Sequence, residues 1–139
     1  MKTFLDSSAF AKRYIDEPGS QSVDDICMET TELALSIVCV PEIVSALNRR
    51  LRERRISQQQ YDEAKKRLLT EVEDAVIVNL TMPVIAKCIN ILEDSLIRTL
   101  DALHVACAIQ WGAGLFVSSD KQQIAAAKKA GLQTKLVQR

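Results

Sequence analysis

Short apolar runs alternate along this chain with longer stretches in which apolar residues recur every three or four positions, as expected of strands alternating with helices. Lys2 to Leu5 reads as a strand, followed by Ser7 or Ser8 as the N-cap of a helix reaching about Ile15. Glu17-Pro18-Gly19 predicts a turn, and Ser20 to Met28 a helix. Leu33 to Val38, apolar and β-branched, predicts a buried strand. Pro41 is placed to open the next helix at its first position, with Ile43, Val44, Leu47 and Leu51 on one face. Ser57 and Gln60 have capping-box spacing and begin a helix through about Glu71. Ala75 to Leu80 predicts a strand and Pro83 to Leu92 a helix. Thr99 caps an apolar helix, Leu100 to Trp111, closed by Gly112. Leu115 to Val117 reads as a strand, Lys121 to Ala130 as a helix ended by Gly131, and Gln133 to Val137 as a last strand.

This alternation predicts an α/β fold with a largely parallel central sheet of about five strands, in one domain over 1–139. In such sheets the functional crevice lies beyond the carboxyl ends of the strands. The 47% hydrophobic and 26% charged residues suit an ordinary domain with its own core, and exclude an intrinsically disordered chain. Eighteen Lys and Arg balance 18 Asp and Glu, which excludes a histone-like basic protein. Any binding of nucleic acid must therefore rest on local segregation of charge. The uncharged run from Ala102 to Ser119 contains His104, Gln110, two glycines and two serines, and reads as helix, turn and strand rather than a membrane span. Met1-Lys2 is followed by too short an apolar stretch for a secretory signal, and the expected location is the cytoplasm. Cys27, Cys39, Cys88 and Cys107 lack zinc-ligand spacing and read as small residues of a reduced core.

Most acids lie among other charges, as on solvated helix faces. Four do not. Asp6 is the only charge between Thr3 and Ala11, and Glu42 the only one between Leu33 and Asn48. Asp101 is alone between Thr99 and Ser119, and Asp120 follows directly on Phe116-Val117-Ser118-Ser119. A carboxylate in an apolar setting costs several kcal/mol unless it is compensated, roughly 2–7 kcal/mol for a buried polar group. All four fall at predicted helix starts. Taken singly, each is explained by capping and the helix dipole, worth ~0.3–2 kcal/mol; together they indicate a shared site. In a parallel sheet Asp6, Glu42 and Asp120 meet at one edge, and Asp101 joins them if its helix packs there. Converging carboxylates need protons or cations, and hard oxygen ligands suit Mg²⁺ or Mn²⁺. Such a centre polarises phosphoryl oxygens, which implies phosphodiester hydrolysis.

Four segments carry a resemblance: Phe4-Leu5-Asp6-Ser7-Ser8-Ala9, Pro41-Glu42-Ile43-Val44-Ser45-Ala46-Leu47, Arg98-Thr99-Leu100-Asp101-Ala102-Leu103-His104-Val105-Ala106, and Phe116-Val117-Ser118-Ser119-Asp120. Their order resembles that of PIN-domain nucleases, and the length resembles the stand-alone VapC-type toxins of toxin–antitoxin pairs. The resemblance implies a three-layer α/β/α fold and RNA cleavage at one or two divalent metals. It implies Asp6, Glu42, Asp101 and Asp120 as metal ligands, Ser8 as an assisting hydroxyl and Ser118 as a match to a Ser/Thr position. Many members carry a further acid or Asn after the last Asp; here Gln122 and Gln123 follow Lys121. A cognate antitoxin and a second copy of the chain are the implied partners. The rival readings are a catalytically silent PIN-like module binding RNA or protein, and a receiver-like domain, disfavoured because an acidic pair after the first strand is absent.

Arg49, Arg50, Arg52, Arg54 and Arg55 put five positive charges into seven positions at the end of the helix that Glu42 opens. Arg49 and Arg50 are thus candidate contacts to RNA phosphates; the alternative is an exposed helix end whose arginines favour the C-terminal dipole. His104, the only histidine, is a candidate base, but its apolar helix favours a hydrogen-bonded core histidine.

Overall fold

The computed structural model describes residues 1–138, so the C-terminal residue of the span 1–139 lies outside the described residues. Five strands, β1 (Lys2–Leu5), β2 (Glu32–Ser36), β3 (Val76–Val78), β4 (Leu115–Ser118) and β5 (Thr134–Leu136), form one sheet in the order β3-β2-β1-β4-β5. Every pairing is parallel. Seven α-helices connect them: α1 (Ser7–Phe10), α2 (Ser20–Glu29), α3 (Cys39–Arg52), α4 (Gln58–Glu71), α5 (Met82–Asp94), α6 (Thr99–Trp111) and α7 (Lys121–Lys129).

Side chains alternate along each strand and so sort into two cores. Leu5, Leu35 and Val117 pack with the helices α1 to α4, while Phe4, Ala34 and Phe116 pack with α5 to α7. Phe4 and Phe116, paired in register, stack with ring centroids 5.9 Å apart. Burying each such side chain contributes about 1.5–3 kcal/mol. Helix α6 is apolar on all sides, and it is correspondingly enclosed: Ala102 through Ala108 are all buried. The result is a three-layer α/β/α fold. No helix among the described residues is long and apolar enough to cross a membrane.

Side-chain caps mark the starts of α1, α4 and α7, and three of the expected caps or openings differ from the sequence reading. Asp6, rather than Ser7 or Ser8, is the N-cap of α1, its carboxylate accepting the Ala9 N–H. Helix α3 begins at Cys39, so Pro41 is its third residue. Proline is tolerated there because the first four N–H groups of a helix have no partner within it. Arg98, without a side-chain cap, precedes α6, and Thr99 is its first residue. The capping box of Ser57 and Gln60 is present. The stretch expected to be helical to Ile15 changes to a 3₁₀ turn at Ala11–Arg13. Glycines at positive φ end α6 (Gly112) and follow α7 (Gly131).

The strand order locates the crevice. The chain moves outward from β1 through β2 to β3, then returns to the other side of β1 for β4 and β5. The carboxyl ends of β1 and β4 therefore flank the point where strand order reverses, the usual place for a site in an open parallel sheet.

Candidate active site

Asp6 directly follows β1 and is fully buried. Its Oδ1 accepts the Ala9 N–H at 2.9 Å, and Ser118, at the end of β4, donates to Oδ2 at 2.8 Å. The Ser8 hydroxyl lies 2.9 and 2.8 Å from the two carboxylate oxygens and accepts the Ser119 N–H at 3.1 Å. Burial pushes the Asp6 carboxyl above the usual aspartate range. The nearby His104 ring and the donated hydrogen bonds pull it down without cancelling that effect.

The other three acids are held differently. Glu42, in the first turn of α3, has Oε1 2.6 Å from the Ser7 hydroxyl and 2.6 Å from His104 Nε2. Burial alone would raise its carboxyl, but the contacts with His104 and Ser7 outweigh it and the carboxyl is lowered. Asp101, in the first turn of α6, accepts a hydrogen bond on Oδ1 from Gln123 Nε2 at 3.0 Å. Its carboxyl is raised, first by burial and then by the negative charges of Asp120 and Glu42. Arg98, with Nε 3.7 Å from Oδ2 and a side chain 89% exposed, and His104 oppose this without cancelling it. Asp120 caps α7, its Oδ1 accepting the N–H groups of Gln122 at 2.8 Å and Gln123 at 3.4 Å.

Electrostatic influence runs between the isolated acids and His104. Asp101 feels both Asp120 and Glu42, and His104 acts on Asp6, Glu42 and Asp101. A common pattern runs through the outer three. Each has one oxygen held by protein donors; the second is left without a hydrogen-bond donor among the described residues, and that of Asp101 faces only exposed Arg98. Carboxylate oxygens with no thiolate among them suit a hard divalent cation, and the mutual repulsion at Asp101 is what such a cation would relieve. As the side chains stand, no group of three or more His, Cys, Asp or Glu among the described residues is drawn together tightly enough to hold one ion.

Beside these acids lies a cleft of about 400 Å³. Ser7, Ser8, Glu42 and Ser119 form part of its wall, and Lys12, Arg49, Arg50 and Arg55 another part; Asp101 and Asp120 do not line it. The basic part is already partly neutralised. Glu17 Oε1 is 3.0 Å from the buried Lys12 Nζ, and its Oε2 is 3.4 Å from Arg50 Nη2. Both expected arginines reach the cleft, but Arg50 arrives paired. Arg55 reaches it because α3 ends in a Schellman-type turn. Arg55 N–H bonds to the Arg50 carbonyl at 2.9 Å and Arg54 N–H to that of Leu51 at 3.1 Å, with Arg54 at φ 58°.

His104 is buried, as expected of a core histidine, yet its partner is Glu42, and its Nδ1 has none. Ser7 and Gln123 were not foreseen. Adjacency to Asp6 was the available signal for Ser7, and the Asp120-to-Gln123 spacing, that of a capping box, was the signal for Gln123.

The family model described as PIN domain matches residues 3–129. No curated protein sequence matches the chain. Among solved structures, the chain is similar to FitAcB from Neisseria gonorrhoeae, at 16% identity over 95% of each chain and a TM-score of 0.70. It is also similar to VapC20 of Mycobacterium tuberculosis, described as a sarcin-ricin loop cleaving toxin, at 16% identity over 94% of this chain and 95% of that one, with a TM-score of 0.69. DNA-bound VapBC from Salmonella typhimurium aligns at 10% identity over 97% of each chain, with a TM-score of 0.70.

Proposed function

The chain belongs to the PIN-domain family, and from that premise we propose that it is a Mg²⁺- or Mn²⁺-dependent endoribonuclease, acting as the toxin of a toxin–antitoxin pair. One observation carries the reading: four acids remote in sequence converge at the switch point of a parallel sheet, beside a cleft lined with arginines. Asp6, Asp101 and Asp120 would hold the metal, with Glu42 contributing directly or through water. A bound divalent ion supplies charge neutralisation and Lewis acidity for phosphodiester hydrolysis.

The protein's own groups do the rest. Ser8 and Ser118 hold the Asp6 carboxylate in one orientation, and Ser7 and His104 hold Oε1 of Glu42. Arg49 and Arg55 stand in the cleft to receive phosphates flanking the scissile bond, while Arg50 must first share its charge with Glu17. Two protein partners complete the proposal. A cognate antitoxin would silence the chain by covering the acidic cleft. A second copy would cover apolar surface on and between α5 and α6, where Met82, Ile89, Leu96 and Leu100 are exposed. The site of action would be the cytoplasm.

Cleavage of a structured RNA by wild type, Asp6→Asn and Asp101→Asn tests the assignment. Loss of cleavage in both variants, with the fold retained, supports it, and full activity in both contradicts it. The second reading, a silent binding module, is favoured by the loose spacing of the acids. An inert wild type that binds RNA or a partner protein would establish it.

A further inference from the structure

Gln123 occupies a position that neither helix capping nor packing explains. It is only 3% exposed, yet it carries an amide. Its Nε2 donates to Asp101 Oδ1 at 3.0 Å, and its backbone N–H faces Asp120 Oδ1 at 3.4 Å. One residue therefore touches two acids from different elements, α6 and the β4–α7 junction, whose like charges repel. The Asp120-to-Gln123 spacing offers a local alternative, in which the glutamine side chain turns back onto its own N-cap. Gln123 does not take it and reaches across to α6 instead.

The amide orientation also leaves a mark. With Nε2 turned to Asp101, the buried Oε1 has no hydrogen-bond partner. The reverse orientation would set that oxygen against the carboxylate. An apolar side chain of similar size would fill the space without leaving a polar atom unpaired, and buried unpaired groups are rare enough to call for a cause. The cause at hand is Asp101. Anchoring Oδ1 leaves Oδ2 as the oxygen available to a cation, the same one-held, one-open presentation seen at Glu42 and Asp120.

We propose that Gln123 is a positioning residue of the divalent-cation centre: its side-chain amide fixes the Asp101 carboxylate against Asp120 so that both present an oxygen to the same ion. The inference rests on the metal-centre reading above. Because Gln123 contributes no charge of its own, its effect should be read in cation affinity rather than in stability.

The experiment is Mn²⁺ binding by calorimetry to wild type and Gln123→Met, with thermal unfolding of both in the absence of metal. Methionine keeps the volume and removes both the donor and the unpaired oxygen. The expected result is Mn²⁺ affinity weakened about tenfold with the melting temperature unchanged or raised, since a tenfold change is about 1.4 kcal/mol. Equal affinity in the two proteins overturns the proposal, and an affinity loss that merely tracks a lower melting temperature overturns it as well. A wild type that takes up no Mn²⁺ overturns this proposal and the metal centre together. A second readout needs no variant. In wild type, the Gln123 side-chain amide resonance should shift on titration with Mg²⁺, and a resonance that stays fixed while metal binds counts against the role.

Discussion

The basic cleft and the acidic group beside it, which share only Glu42, handle charge in opposite ways. On the basic side, charges are met by opposite charges: one carboxylate, Glu17, engages both Lys12 and Arg50. On the acidic side, like charges are gathered and held largely by hydroxyl, amide and ring N–H groups: Ser7, Ser8, Ser118, Gln123 and His104. Such donors orient a carboxylate without removing its charge; burial lifts the carboxyls of Asp6 and Asp101, and at Asp101 the neighbouring charge of Asp120 adds to it. The lesson is functional. On the basic side Lys12 and Arg50 are tied to Glu17 and support the shape of the cleft. Among the described residues the acidic group has no paired lysine or arginine of its own beyond exposed Arg98, and is suited to a cation that arrives from outside.

The largest effect expected on this contrast is in activity. Asp101→Asn or Asp120→Asn should lower RNA cleavage at least ~100-fold, the scale expected when an electrostatic element of a catalytic site is removed. Far-ultraviolet circular dichroism should stay native in both, and normal cleavage in either would break the contrast. Next comes stability. Asp6→Ala removes the α1 cap and orphans the hydroxyls of Ser8 and Ser118, for a loss of about 2–5 kcal/mol in chemical denaturation. A variant as stable as wild type would show that Asp6 is not the hub of this side.

The pH dependence should expose the unbalanced charge. The folded-state carboxyls of Asp6 and Asp101 are raised above their unfolded values. Their contribution to stability is therefore fully present at low pH and is lost as pH rises from the ordinary aspartate value, about 3.9, through the folded values. Glu42 is lowered and has the opposite sign, its contribution being lost as pH falls through the folded value. Mg²⁺ should accordingly raise the melting temperature at neutral pH, and by less as pH falls towards 4. A shift independent of pH would place the bound ion elsewhere.

The basic side should respond more gently. Arg49→Ala is expected to weaken RNA binding and to reduce the slope of log affinity against log salt by about 1, as for the loss of a single phosphate contact. The smallest effect concerns the turn that aims Arg55 into the cleft. Arg54 stands in the left-handed region at φ 58°, so Arg54→Gly should stabilise the fold by about 0.5–1 kcal/mol and leave cleavage unchanged.

The sheet and its helices were legible because strand interiors are apolar, apolar residues recur at helical spacing, and α1, α4 and α7 start with side-chain caps. The isolated acids were legible because a lone charge in an apolar stretch needs a partner, and Asp6, Glu42, Asp101 and Asp120 do converge. The donors that hold them were hidden. Ser7 and Glu42 are 35 positions apart, His104 and Glu42 62, and Gln123 and Asp101 22, and a neutral donor leaves no trace in charge patterning. The pairing of Arg50 with Glu17 was hidden for the same reason of distance, so the arginine cluster looked more uniform than it is. The start of α3 was misplaced because proline suits any of the first positions of a helix, and its presence alone does not say which.

The most direct measurement is the rate of RNA cleavage by wild type after exhaustive treatment with EDTA and again after Mn²⁺ or Mg²⁺ is restored. If the acidic wall is built for a cation, cleavage should vanish with chelation, return with either ion, and fail to return in Asp120→Asn. Cleavage that survives chelation undiminished would contradict a metal-centred nuclease at this edge of the sheet.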